Sequence, residues 1–152
     1  GVVRPIPGTF NPACMLTIES KTGTAKGSPE QVFAYLTDFT HFAGLLPAER
    51  LTDLEVQPER IAFGIQGLGR IGLEIREKNP FSTVVVGASK DSSADFNFTV
   101  HLAGAETTQV HIVLTANLNM FLEMMARGPL QQLADLMVDR LGTVDFGPVQ
   151  EA

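Results

Sequence analysis

Residues Ala94–Leu118 read ADFNFTVHLAGAETTQVHIVLTANL. Apolar side chains recur at every second position through Phe96, Phe98, Val100 and Leu102, and again through Val110, Ile112, Leu114 and Ala116. A period of two puts each set on one face of a pleated strand. Gly104-Ala105-Glu106 interrupts the pattern with the length and composition of a tight antiparallel turn. Closing there opposes Leu102 to Val110, Val100 to Ile112, Phe98 to Leu114 and Phe96 to Ala116, so the two apolar faces coincide. The same closure sets His101 against His111 on the other face.

Working backward, the alternation continues through Leu51–Gln57, Arg60–Gln66, Gly69–Lys78 and Phe81–Lys90. Short connections at Pro58-Glu59, Gly67-Leu68-Gly69, Asn79-Pro80 and Asp91-Ser92-Ser93 make the whole run a meander. These closures pair Val56 with Ile61, Leu54 with Phe63, Ile65 with Ile71, Leu73 with Val86, Ala88 with Phe96 and Val84 with Val100. One apolar face then runs across six strands, while Arg60, Glu74, Arg76, Ser89, Asn97, Thr99 and Thr115 fall on the polar face with the two histidines. Before the meander, Leu16–Ala25 reads as a further strand. Ser28-Pro29-Glu30-Gln31 is a helix start, with Ser28 as N-cap, Pro29 in the first turn and Gln31 completing a capping box. A second short helix is expected over Phe39–Leu46 and ends at Pro47.

After the meander, Asn119–Gly142 (NMFLEMMARGPLQQLADLMVDRLG) is one long amphipathic helix with Asn119 as N-cap and Gly142 as stop. Leu122, Met125, Leu130, Leu133, Met137 and Leu141 form its apolar stripe. Pro129 removes a backbone donor, so a kink is expected there. Four of the chain's five methionines lie in this helix, which suits a lid over an irregular apolar space. Asp135, Asp139 and Glu123 read as its solvated face.

With 152 residues, 44% of them hydrophobic and 18% charged, the chain is expected to form one globular domain over residues 15–142. Residues 1–14, with three prolines and no periodicity, are expected to be a disordered leader, and Met15 a natural start; residues 143–152 are expected to be a flexible tail. The net charge of −6, without a Lys/Arg cluster, argues against nucleic acid as a partner. No apolar run is long enough for a membrane span, and the first residues lack the apolar core of a secretion signal, so a cytoplasmic protein is expected. Cys14 is the sole cysteine, which excludes an internal disulfide and a cysteine-based metal site.

The order strand, two helices, six strands, long helix resembles the helix-grip fold of the START-like, or SRPBCC, superfamily, which includes polyketide cyclases/dehydrases and lipid-transfer domains. Ser28-Pro29-Glu30-Gln31-Val32-Phe33, followed by Leu36, Asp38, Phe39 and Pro47, carries the resemblance at the start of the domain. It implies an α+β fold in which a curved, seven-stranded antiparallel sheet grips the C-terminal helix around an apolar cavity. It implies no single reaction, since that scaffold hosts binders, transporters and enzymes alike.

The expected inner face holds no ionisable side chain, so it suits burial of hydrocarbon better than proton transfer or covalent attack. A small hydrophobic or lipid-like molecule is therefore the expected partner, carried without chemistry in a cavity that should exceed roughly 300 Å³. Tyr35, Phe63, Leu73, Val86, Phe98, Leu114 and Met125 are the candidate wall, and Leu68, Phe121 and Met124 the candidate mouth. No cofactor, metal or nucleic acid is called for, and no protein partner is indicated. The alternatives are a cyclase or dehydrase, with Ser20, Thr22 and the Tyr35 hydroxyl facing the substrate, and an interaction module with a filled cavity. His101 and His111 read as surface residues, because a metal site normally needs three or four ligands. His41 is expected to be exposed and without a partner. Gly67-Leu68-Gly69 lacks the lysine and the following helix of a phosphate loop and reads as a turn.

Overall fold

A computed structural model of the chain describes residues 15–65, 69–90, 92 and 95–147. In order, the elements are β1 (Met15–Glu19), β2 (Gly23–Ala25), α1 (Pro29–Leu36), α2 (Phe39–Phe42), two 3-10 turns (Ala43–Leu45 and Ala48–Arg50), β3 (Thr52–Gln57), β4 (Arg60–Ile65), β5 (Gly69–Asn79), β6 (Thr83–Ala88), β7 (Asp95–Gly104), β8 (Thr108–Asn117) and α3 (Met120–Leu141). The sheet is antiparallel throughout, in the order β1-β8-β7-β6-β5-β4-β3, with β2 also paired to β8. It counts eight strands rather than seven because the expected Leu16–Ala25 strand is broken at Ser20-Lys21-Thr22. There the Ser20 hydroxyl accepts from Ile112 N and donates to Lys21 O, both at 2.8 Å.

Local signals are realised as written. The Ser28 hydroxyl accepts from Gln31 N, the Gln31 carboxamide accepts from Ser28 N, and Pro29 opens α1. The β7–β8 register matches all four expected pairs and sets His101 opposite His111. Asn119 caps α3, its side-chain oxygen accepting from Leu122 N at 2.8 Å.

Three non-local features depart from expectation. First, β4 pairs with β5 through Phe63–Ile71 and Ile61–Leu73, two residues away from the expected register. A two-residue slip keeps every side chain on its own face, so face consistency cannot detect it. Second, β5 pairs with β6 through Leu73–Ala88 and Ile75–Val86, with a bulge between Ile75 and Glu77. Its turn spans Pro80-Phe81-Ser82 rather than Asn79-Pro80, with Phe81 in the left-handed region and its ring edge-on to Phe33 at 5.5 Å. Third, β3 is exposed along its whole length. Val56 opposes the buried Ile61 as expected, but a register shift between Thr52 and Glu55, with Asp53 at φ 47°, breaks the expected Leu54–Phe63 pair, and Leu54 and Val56 on this edge strand are exposed.

The core lies between the remaining strands and the helices. Phe39, Phe42, Leu45 and Leu46 are buried against the sheet, and Phe42 stacks on Phe98 at 5.7 Å. The face of α3 that meets the sheet is Ala126, Leu130, Ala134, Met137, Val138 and Leu141, and Pro129 lies inside the helix without ending it. Small residues let the backbones approach. A Cβ on Gly23 would sit 2.3 Å from Val138 Cγ1.

Polar contacts hold the second half of α3 on both sides. Asp135 accepts from Lys21 N at 2.8 Å, Gln131 donates to Glu19 O at 2.8 Å, and Lys21 Nζ lies 2.6 Å from Asp139. On the opposite side Arg140 donates to Leu46 O at 2.7 Å. Asp135 and Asp139 are therefore tethers to the break in the first strand, not merely a solvated face. Residues 143–147 do not hang free. Val144 and Phe146 pack on the core, and Gln31 Nε2 donates to Phe146 O and Gly147 O at 3.2 and 3.3 Å.

Candidate functional site

Beneath the middle of α3 lies a small cavity of about 40 Å³. Its floor is sheet: Phe63, Ile71, Leu73, Phe96, Phe98 and Leu114. Its roof is Leu130, Leu133, Ala134 and Met137 of α3, and Phe42 and Leu46 close one side. Every lining side chain is apolar. Ile65, Leu130 and Leu133 also line a second, open space, a groove of about 350 Å³ along the flank of α3. The opposite bank of the groove is Pro47, Glu49, Arg50 and Leu51; Pro129, Gln132, Leu136 and Arg140 complete the α3 side. Cavity and groove are thus separated by three side chains.

Of the wall residues expected from the sequence, Phe63, Leu73, Phe98 and Leu114 surround this cavity. Val86 is buried but outside its lining. Tyr35 does not reach it. The ring is stacked on His41 at 5.1 Å and meets Phe146 edge-on at 5.5 Å, because α1 presents that side to the chain's C-terminal segment. Removal from water there raises the Tyr35 pKa above the ordinary tyrosine value. Phe121, Met124 and Met125 lie on the outward side of α3 and are 56–76% exposed, together with Met120. Their position follows from the stripe that packs: with Ala126, Leu130 and Ala134 against the sheet, Met125 points away. Leu68 lies outside the described residues.

The residues expected to carry the alternative chemistry are occupied or displaced. The Ser20 hydroxyl is committed to backbone groups on both sides, and Thr22 is exposed. Nor is His41 without neighbours: besides Tyr35, its Nδ1 lies 3.9 Å from Asp38 Oδ2. Asp38 itself accepts from Thr40 N and Thr40 Oγ1, which hold its carboxyl below the usual aspartate range. On the outer face, β1 brings an unforeseen carboxylate to the histidine pair, with Glu19 Oε1 3.1 Å from His111 Nε2. Among the described residues no group of three His, Cys, Asp or Glu side chains could hold a metal ion. No helix among them is long and apolar enough to cross a membrane.

Sequence reasoning did not place Ile65, Leu130 and Leu133 at a site, nor the polar rim of the groove. The signal for Leu130 and Leu133 was present in the helical stripe, but nothing local shows that Pro47–Leu51 stands opposite. Comparison with solved structures identifies the architecture. The chain superposes on the protein TTHA0849 of Thermus thermophilus at TM-score 0.62 and 15% identity, covering 84% of this chain and 94% of that one. It superposes on a START superfamily protein from Mycobacterium smegmatis at TM-score 0.57 and 13% identity, covering 84% and 96%. The fold is the START-like helix grip. A third match is norcoclaurine synthase from Thalictrum flavum in complex with dopamine and hydroxybenzaldehyde, at TM-score 0.57 and 12% identity, covering 93% and 95%. No protein-family model and no curated protein matches the sequence. Within this START-like grip, cavity and groove lie where the C-terminal helix crosses the sheet.

Proposed function

We propose that the chain binds a small hydrophobic molecule in the groove along α3, with an apolar end of the ligand entering the cavity beneath it. The observation that supports this most is the continuity of an all-apolar internal space with an open cleft across only Ile65, Leu130 and Leu133. Size fixes the form of the reading. A space of about 40 Å³ is little more than the roughly 30 Å³ that one water occupies in the liquid, so the cavity alone holds no ligand. The wholly internal cavity above roughly 300 Å³ expected from the sequence is therefore not the site. The groove, at about 350 Å³, reaches the lower range of small-molecule sites, about 300–1,000 Å³. Leu130 and Leu133 are the side chains a ligand would displace to reach inward. Binding rests on burial of apolar surface, worth about 25 cal/mol per Å². A structural neighbour crystallised with aromatic molecules agrees with such a use of the fold.

The test is native mass spectrometry of protein purified without detergent or organic solvent, before and after incubation with a panel of apolar compounds. A stoichiometric adduct that Ala134→Phe weakens, in a variant that still folds, is the expected result, because Ala134 roofs the cavity that would receive the ligand's apolar end. A chain that carries nothing and takes up nothing ends the proposal.

A further inference from the structure

We infer that the preferred ligand of the groove is a hydrophobic molecule bearing one carboxylate, received at the rim by Arg50 and Arg140. This rests on the binding function proposed above and adds the chemical class of ligand. The charge pattern is the first argument. The chain has 17 acidic and 11 basic residues, so cations gathered without paired acids in one apolar groove stand out. Lys21, Arg70, Arg76 and Arg127 each pair with a carboxylate; Lys26, Lys78 and Lys90 have none within 4 Å among the described residues, but none of the three lines the groove. Arg50 and Arg140 likewise have no carboxylate within 4 Å among the described residues, and both line the groove.

Geometry is the second argument. Arg140 leaves α3 beside Leu136 and is half-buried, with Nη1 donating to Leu46 O at 2.7 Å. One hydrogen bond of its five N–H groups orients the guanidinium and leaves the others for a ligand. Arg50 stands on the opposite bank, at the end of the 3-10 turn Ala48–Arg50, where its N–H donates to Pro47 O at 2.8 Å. Between them the groove is walled by Pro47, Leu51, Ile65, Leu130, Leu133 and Leu136. An apolar body would fill that wall and put its charged end at the guanidinium groups. Low-polarity walls strengthen such an attraction relative to open water. Glu49 is the one acid on the rim, so the rim carries a net single positive charge, which one carboxylate neutralises. A planar carboxylate also matches the paired N–H groups of a guanidinium.

The experiment is calorimetric titration of the wild-type chain, Arg50→Gln and Arg140→Gln with decanoate and with 1-decanol, which share a chain and differ in the head group. Arg140 is only half-buried and Arg50 is exposed, so circular dichroism should show both variants folded. Decanoate is expected to bind the wild type at least about tenfold more tightly than decanol, the scale of one charged hydrogen bond. Each substitution should shrink that ratio severalfold, by weakening decanoate binding more than decanol binding. Equal binding of the two compounds to the wild type, or a ratio untouched by both substitutions, overturns the carboxylate inference while the hydrophobic-binding function stands. Binding of neither compound removes both.

Discussion

Replacing Leu130 by alanine should cost stability and create a binding site in the same step. Leu130 is 3% exposed and belongs to both the cavity and the groove, so it is, with Ile65 and Leu133, part of the partition between them. Truncation removes three carbons from a buried position. At about 0.8 kcal/mol for each, the lost transfer term is about 2.4 kcal/mol. A residual hole adds about 24 cal/mol per Å³, but this position opens toward the groove, where water and neighbouring side chains can relax into it. The expected total is about 3 kcal/mol, toward the low end for buried leucine-to-alanine changes. Urea denaturation followed by circular dichroism, with an unchanged m-value, measures it. The second readout uses benzene as the probe. With cavity and groove joined, the variant should gain about 1.4 kcal/mol of stability at a tenfold excess over the dissociation constant, by mass action. The wild type should gain much less. A loss below about 1 kcal/mol, or equal stabilisation of both proteins by benzene, would refute the view of Leu130 as a wedge over preformed apolar space.

Three further outcomes follow from other parts of the molecule. Gly23→Ala should destabilise by about 1–3 kcal/mol, because the new methyl meets Val138 Cγ1; in the Val138→Ala background the penalty should shrink by about 1 kcal/mol, seen in a double-mutant cycle. Tyr35 is the chain's sole tyrosine, so ultraviolet titration reads it alone; its midpoint should lie above the ordinary value and fall in Phe146→Ala, which uncovers the ring. Since the phenol ionises first in the unfolded chain, stability should decline as pH rises past the ordinary tyrosine value of about 10. The lowered Asp38 pKa has the opposite sense: its contribution is present above the unfolded value near pH 3.9 and is lost as pH falls through the lower folded value. Acid unfolding of Asp38→Asn should therefore show a shallower pH dependence in that range, and an unchanged curve would remove Asp38 as a contributor.

The parts of the fold legible in the sequence are those set by neighbours along the chain. Ser28 and Gln31 are three residues apart, and their reciprocal hydrogen bonds are a local event. The β7–β8 register follows from a short turn between two strictly alternating strands. Both β4–β5 and β5–β6 slip by two residues, which alternation cannot reveal because its period is two. That β3 is an uncovered edge strand, with a register shift near Asp53, is a tertiary fact, and the exposed Leu54 and Val56 read in sequence like core residues. On α3, Leu130, Met137 and Leu141 of the expected stripe meet the sheet, but so do Ala126, Ala134 and Val138, which the stripe omits, while Met125 faces out.

The sequence by itself determined which residues could be buried and in what order strands and helices follow, because periodicity and capping are short-range properties of the chain. It thereby determined the element order, whose resemblance to the START-like superfamily implied the helix grip, and an apolar inner wall through Phe63, Leu73, Phe98 and Leu114. Only the tertiary structure decided where that wall leaves space. The groove exists because Pro47–Leu51 stands across from Pro129–Arg140, segments about eighty residues apart in a chain whose local patterns say nothing of their meeting. Periodicity specifies the face that avoids water; packing between distant elements specifies what that face touches, and whether it closes.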